Sequence, residues 1–300
     1  MVKYGKFLLL CLIWSTTWAA IKIGIEETPP MAGLALRFSV AAVILLTAVL
    51  ITKRRIATDA LSLRLYAQIG LLNMALSYYC TYWGTQYIPS GLASILWAAL
   101  PLFVGIFAHF NLQNEKQSWL GIVAIGIALT GVSIILSDEE LIVSRQLLLG
   151  SLVVLLGVAI SAYPTVVLKR AQEHYDPLVL TAMSMVIGAI VHLVGATAAG
   201  EWKSMVWSGV NIGSFLYLGI FGSALAFLVY YSLLREIAVV KLSFVTFITP
   251  ILATVIGRVW LQEPVTVREL GGALLIFTGL LLYDWKKYRA TLVRLTDRSA

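Results

Sequence analysis

The chain has 300 residues, 60% of them hydrophobic and 12% charged, with a mean hydropathy of +0.89 and a formal net charge of +7. Soluble domains carry about 25% charged residues, so a fold immersed wholly in water is excluded. The positive charge does not point to nucleic acid, and no such partner is expected, because Lys and Arg sit in short clusters between long apolar runs.

A helix needs about 20 apolar residues to cross about 30 Å of hydrocarbon. On that ruler the chain predicts ten spans, over residues 4–23, 31–51, 65–86, 92–110, 119–136, 148–168, 178–198, 212–234, 240–261 and 269–283. Helices satisfy their backbone groups within one segment, as lipid requires, and runs this long are unlike barrel strands. The start mimics a signal peptide, but the apolar stretch continues to Ile25 without a small-residue cleavage site, so it is read as a retained first span. Thr28-Pro29-Pro30, Ile88-Pro89-Ser90, Asp176-Pro177 and Glu263-Pro264 combine turn chemistry with helix stops. Residues 52–64 and 200–211 are longer loops. Cys11 and Cys80 lie inside apolar runs and are read as inert buried thiols.

Basic residues set the orientation. With the N-terminus inside, the cytoplasmic side collects Lys3, Lys6, Lys53, Arg54, Arg55, Arg64, Lys116, Lys169, Arg170, Arg235, Lys241, Lys286, Lys287, Arg289, Arg294 and Arg298, while the opposite side keeps Lys22, Arg145, Lys203, Arg258 and Arg268 with the acidic Glu26-Glu27 and Asp138-Glu139-Glu140. Both termini are therefore expected in the cytoplasm.

The two halves resemble each other. A shift of 149 positions places Gly70 on Gly219, Ala75 on Ala224, Tyr82 on Tyr231, Ser94 on Ser243, Pro101 on Pro250 and Gln113 on Gln262. Upstream, at a slightly different register, Lys22 and Pro30 fall on Lys169 and Pro177. The expected organisation is one transmembrane domain over residues 1–300, with repeats at about 1–144 and 145–290 and a cytoplasmic tail at 291–300. Five spans per half is odd, so the second half must enter the membrane upside down, a pattern of secondary transporters with midplane sites. The predicted fold is all-α, with two inverted five-helix repeats around a central cavity.

Leu12-Ile13-Trp14-Ser15 with Lys22, Leu36-Arg37-Phe38 after Pro30, the run at 88–93 with Pro101, and Gln262-Glu263-Pro264 followed by Gly272 and Gly279 together resemble the EamA-type ten-helix carriers of the drug/metabolite transporter superfamily, including its aromatic amino acid exporters. The first half departs by carrying Asn114 where the second has Glu263. The resemblance implies alternating access and export or exchange of metabolites such as amino acids in a prokaryotic cytoplasmic (inner) membrane. Drug or nucleotide-sugar carriers of the same fold are the alternative cargo classes.

Candidate substrate contacts follow from the polar and aromatic residues within spans. Tyr78 and Tyr82 share one helix face, flanked by Ser77, with Phe227 and Tyr231 as repeat mates. Rings carrying hydroxyls suit an amphipathic solute; packing or an interfacial belt is the alternative. Ser94, Trp97 and Pro101 form one stripe, repeated by Ser243, Thr246 and Pro250. A helix-interior proline bends the axis, so Pro101 and Pro250 are read either as gates or as static kinks. Trp14 and Thr17 in the first span and Tyr163 in the sixth are further cavity candidates, although Thr hydroxyls often bond back to their own helix.

Arg37 lies about two turns into its span and needs a partner or water. A carboxylate substrate is one option; a structural pairing with Glu26, Glu27 or a helix end is favoured. No acidic residue sits firmly inside a span, which argues against a proton relay. His109, His174 and His192 are dispersed without a nucleophile–base spacing, so an enzyme is not expected, and no metal or other cofactor is implied. The expected partners are a small-molecule substrate and the lipid bilayer, with the chain monomeric or homodimeric. Small-residue stripes at Gly121, Ala124, Ala128 and Gly131, and at Gly272 and Gly279, permit close helix approach.

Overall fold

A computed structural model describes residues 2–111, 119–136, 145–171, 174–236 and 245–283, and among them every regular element is helical. The first half contains α1 (Val2–Glu27), α2 (Pro30–Ile51), and a continuous rod made of α3 (Ala60–Gln68), a π-helical segment (Ile69–Ser77) and α4 (Tyr78–Thr85). It continues with α5 (Ser90–Trp97), α6 (Leu100–Asn111) and α7 (Trp119–Leu136). The second half has α8 (Arg145–Arg170), α9 (Pro177–Ala198), and a rod of α10 (Gly209–Tyr217), a second π-helical segment (Leu218–Leu225) and α11 (Ala226–Glu236). It ends with α12 (Val245–Trp260) and α13 (Val267–Tyr283).

Helices therefore stand at each of the ten predicted positions. Among the described residues, six stretches are long and apolar enough to cross a membrane: Tyr4–Glu27, Pro30–Ile51, Ser90–Phe107, Arg145–Leu168, Pro177–Ala198 and Gly209–Leu233. The interior is largely apolar, but the exterior is apolar too and hydroxyls are found inside. Val43, Leu50, Ile190 and Val194 face outward, while Ser15, Thr81, Thr85, Ser94 and Ser151 are buried.

Local chemistry sets the helix starts. Pro30 and Pro177 occupy the first turns of α2 and α9, where the missing N–H is harmless. Asp59 caps α3 by accepting from Ser62 N and Oγ, at 3.1 and 2.7 Å, bonds that hold its carboxyl below the usual value. Asp176 caps α9 by accepting from Leu178 N and Val179 N. Thr266 and Glu269 form a capping box on α13.

The fourth predicted span, residues 92–110, is two helices rather than one. Pro101 has no N–H for the Trp97 carbonyl, and the chain passes from α5 to α6 through tighter bonds, Ala98 N to Ile95 O and Ala99 N to Leu96 O. In the second half α12 runs unbroken through Pro250; predicted residues 240–244 lie outside the described residues.

The packing maps onto itself when the halves are exchanged. α2 lies against α9, α7 against α13 and α5 against α12, each helix touching its own repeat mate. α1 contacts α12 and the α10–α11 rod, as α8 contacts α5, α6 and the α3–α4 rod. The two π-helical segments begin at Ile69 and Leu218, 149 residues apart.

The connecting turns meet in three sets. Thr28 Oγ1 donates to Asn211 Oδ1 (2.6 Å), Ser208 Oγ meets Glu27, and Glu201 accepts from Ala32 N (2.8 Å), joining turn 28–29 to residues 200–211. Turn 86–89 meets residues 261–266 through Glu263. The 52–59 and 171–176 connections meet through an Arg54–Asp176 ion pair of 3.2 Å.

Close crossings depend on glycine. A Cβ on Gly131 would lie 2.6 Å from the Gly272 carbonyl, and one on Gly279 would lie 2.6 Å from the Ala124 carbonyl. Both obstacles are backbone, which cannot rotate aside. Gly131→Ala and Gly279→Ala should each destabilise the α7–α13 pair by about 1–3 kcal/mol, whereas Gly126→Ala, with open space around it, should not. Thermal unfolding of the purified protein checks the contrast.

Candidate functional site

Where a central cavity is expected, the structure brings together a cluster of rings at the seam between the halves. Trp18 on α1 lies 6.3 Å from Trp97 at the end of α5, and Trp97 lies 6.3 Å from Tyr78 on α4. Tyr78 is 6.2 Å from Phe227 on α11, which in turn meets Trp14 at 5.8 Å and Tyr231 at 5.9 Å. Four helices thus contribute one connected aromatic cluster, and it belongs to the main hydrophobic core, with Trp18, Phe227 and Tyr231 buried. Tyr78 directly follows the first π-helical segment, and its mate Phe227 sits two residues beyond the second. π-helical turns recur at functional sites, and here each lies within two residues of the ring that reaches across the seam.

Behind Tyr78 lies Arg37, 1% exposed. Its Nε donates to Ser223 Oγ (2.7 Å), one terminal nitrogen to Tyr82 Oη (3.1 Å) and the other to the Gly222 carbonyl (3.3 Å). The guanidinium lies 4.9 Å from the Tyr78 ring centre, 5.6 Å from Phe38 and 5.9 Å from Tyr82. A charge at a helix centre costs about 2.5–3.5 kcal/mol on insertion scales, and these dipoles and ring faces offset it. The favoured pairing with Glu26 or Glu27 does not occur. Among the described residues no carboxylate forms an ion pair with Arg37, and Glu27 is engaged by Ser208.

The predicted residues divide clearly. Trp14, Tyr78, Trp97, Phe227 and Tyr231 meet in the ring cluster, and Tyr82 belongs to the Arg37 cage. Trp97 is oriented by donating its Nε1 hydrogen to Thr81 Oγ1 (3.1 Å). Thr17 and Ser94 bond back to their own helices, at Trp14 O (2.8 Å) and Gly91 O (2.6 Å). Ser77 is buried with its hydroxyl unpartnered, and its backbone lies against Gly157 of α8. Tyr163 meets Phe107 (6.0 Å), apart from the cluster. Pro250 is buried within α12. The side chains of Pro101 and Thr246 lie outside the described residues. Sequence reasoning passed over Phe38, Thr81 and Ser223. No spacing rule picks out a serine in the opposite half, although Arg37 itself demanded a partner.

A second polar assembly closes one end of the bundle. Glu263 Oε1 accepts from Ser90 N (2.8 Å) and Oε2 from Ser90 Oγ (2.7 Å), so a carboxylate from the 261–266 turn caps α5. Gln262 takes a left-handed φ of 53° that turns the chain back towards α5. Lys22 Nζ donates to the carbonyls of Thr85 (3.0 Å) and Ile88 (3.1 Å), covering the end of α4. Both residues border a crevice of about 270 Å³ that also touches Gln86, Tyr87 and Glu269.

A model of the EamA-like transporter family matches residues 4–137 and 148–283, one copy in each half. The chain is 31% identical over 273 residues to the uncharacterized transporter YoaV of Bacillus subtilis (strain 168), covering 90% of this chain and 92% of that protein. It is 28% identical to the uncharacterized inner membrane transporter YedA of Escherichia coli (strain K12), over 85% and 81% of the two chains. A solved crystal structure superposes with a TM-score of 0.68 at 18% identity, spanning 94% of this chain and 97% of the other, a likeness of fold.

Removing the Glu263 cap exposes unpaired donors in a buried turn. Glu263→Ala should lower stability by about 2 kcal/mol, the usual scale for a buried hydrogen bond to a charged group. Glu263→Gln, which keeps an acceptor, should lose less. Thermal unfolding of the two variants measures the difference.

Proposed function

Because this multi-pass membrane transporter belongs to the EamA-like transporter family, we propose that it carries small amphipathic metabolites, amino acids with aromatic or apolar side chains foremost, by alternating access. The observation that carries this reading is the ring cluster, built from both halves at the seam where they meet. Rings supply dispersion contact to an apolar side chain, and hydroxyls among them supply a few directional bonds.

The proposed architecture is ten spans in two inverted five-helix repeats. Its support is the exchange-symmetric packing and the grouping of turns. Turn 28–29 joins one set of connections, and its repeat equivalent, 171–176, joins the set that includes 52–59. We place the protein in a prokaryotic inner membrane with both termini cytoplasmic, on the basic-residue bias and the similarity to YedA. Pro101, beside the break between α5 and α6, is the proposed flexible joint of the first half, with Pro250 as its counterpart.

Counterflow of labelled phenylalanine or tryptophan in proteoliposomes tests the cargo; absence of exchange with any amino acid would overturn it. Trp97→Ala should lower the exchange rate about tenfold or more, the scale of one lost aromatic contact of about 1.4 kcal/mol, at unchanged abundance in the membrane. Equal loss of rate and abundance would assign Trp97 to packing.

A further inference from the structure

Arg37 is the eighth residue of α2, about 5 Å from the midpoint of that helix at about 1.5 Å per residue. Arginine cannot shed its proton to escape an apolar environment. Every recorded partner of this guanidinium is nonetheless neutral: a serine hydroxyl, the hydroxyls of Tyr82 and Tyr78, one carbonyl and three ring faces. The bonds to Ser223, Tyr82 and Gly222 alone use three of its five N–H donors.

The molecule contains its own control for a purely structural role. The eighth residue of α9, at the equivalent repeat position, is Ser184, which is fully buried with its hydroxyl unpartnered. α9 therefore packs in the mirrored environment without a charge. Holding α2 to the α4 rod and the second π-helical segment does not require a permanent cation.

The position of the charge indicates what it is for. The Tyr78 ring that covers the guanidinium is also the ring that contacts Trp97 and Phe227 at the seam. One aromatic side chain separates the cation from the proposed path. The described acidic side chains all stand at helix ends or in turns, so none faces the cluster to hold an ammonium group.

We propose that Arg37 is the anchor for a single carboxylate on the transported solute, and that the site recognises an apolar or aromatic acid without requiring its amino group. This rests on the carrier reading above. A guanidinium fork matches a carboxylate in two parallel bonds, and one unit of buried positive charge neutralises one carboxylate, whereas a phosphate dianion would leave excess charge. Tyr78 moves from the guanidinium onto the solute as the carboxylate arrives. Tyr82 and Ser223 keep the fork oriented.

Three probes separate the groups: L-phenylalanine, 3-phenylpropionate, which lacks the ammonium, and phenethylamine, which lacks the carboxylate. Each is titrated against the purified full-length protein by ligand-dependent thermal stabilisation, and each is offered as a counterflow substrate in proteoliposomes. The wild type should respond to both acids at similar concentrations and require at least about tenfold more phenethylamine. Arg37→Gln should weaken the two acids by about ten- to a hundredfold, the range for a lost charge-assisted bond, and erase the preference over the amine; Arg37→Lys should fall between. If Arg37→Gln fails to fold, Tyr82→Phe, which keeps the ring and frees the guanidinium, should reduce the acid-to-amine preference severalfold. A preference unchanged in a folded Arg37→Gln or Tyr82→Phe protein overturns the assignment. A wild type that carries phenethylamine as well as the acids also overturns it while leaving the carrier reading intact. A wild type that carries none of the three overturns both.

Discussion

A guanidinium held near the middle of a membrane span constrains everything packed around it. It cannot be neutralised by losing a proton, and lipid offers no dipoles to solvate it. The protein must therefore surround Arg37 with its own polar groups, and it draws them from both halves: Tyr82 from the first, and Ser223 with the Gly222 carbonyl from the second. Those bonds run from α2 to both the α4 rod and the second π-helical segment. The Tyr78 ring lies between the charge and the seam.

The same economy of polar groups explains the rest of the bundle. Several buried hydroxyls return to a carbonyl one turn back, as at Ser15, Thr81 and Thr85, so these cost little and leave the helix surface small. Small surfaces let helices approach closely. Gly84 and Gly150 bring α4 and α8 into backbone contact, and Gly131 and Gly279 do so for α7 and α13. Without a hydrophobic force between helices in lipid, such close packing is a main source of association. The broken fourth span departs from regularity at Pro101, where the proline removes a backbone donor and the following helix restarts.

The sequence made the helices legible because span length and turn residues act locally. Pro30, Pro177, Asp59 and Asp176 mark helix starts by chemistry that does not depend on the fold. The offset between halves was legible too, since Tyr82 and Tyr231 or Pro101 and Pro250 align without any structure. Contacts across the seam were harder to read. Trp14, Tyr78 and Phe227 stood out as aromatic residues within spans, but hydroxyls such as Thr17 and Ser94 looked equally available until their bonds to their own helices were visible. The π-helical turns are invisible to a uniform 3.6-residue count. Each adds a residue to the ladder, changing by about 100° the direction in which later side chains point. The partners of Arg37 lie 45 and 186 positions away, beyond the reach of any spacing rule.

Passage along the seam is the claim on which the functional reading turns, and cysteine accessibility tests it most directly. The chain has two cysteines, Cys11 and Cys80, and alanine at both gives a background in which Phe227→Cys places one thiol in the ring cluster. A membrane-impermeant maleimide is then applied to oriented vesicles from each face in turn, with and without excess aromatic acid on one side. Alternating access requires labelling from both faces, with the solute gradient shifting the balance between them. Labelling from a single face regardless of solute, or from neither in a folded protein, would contradict it.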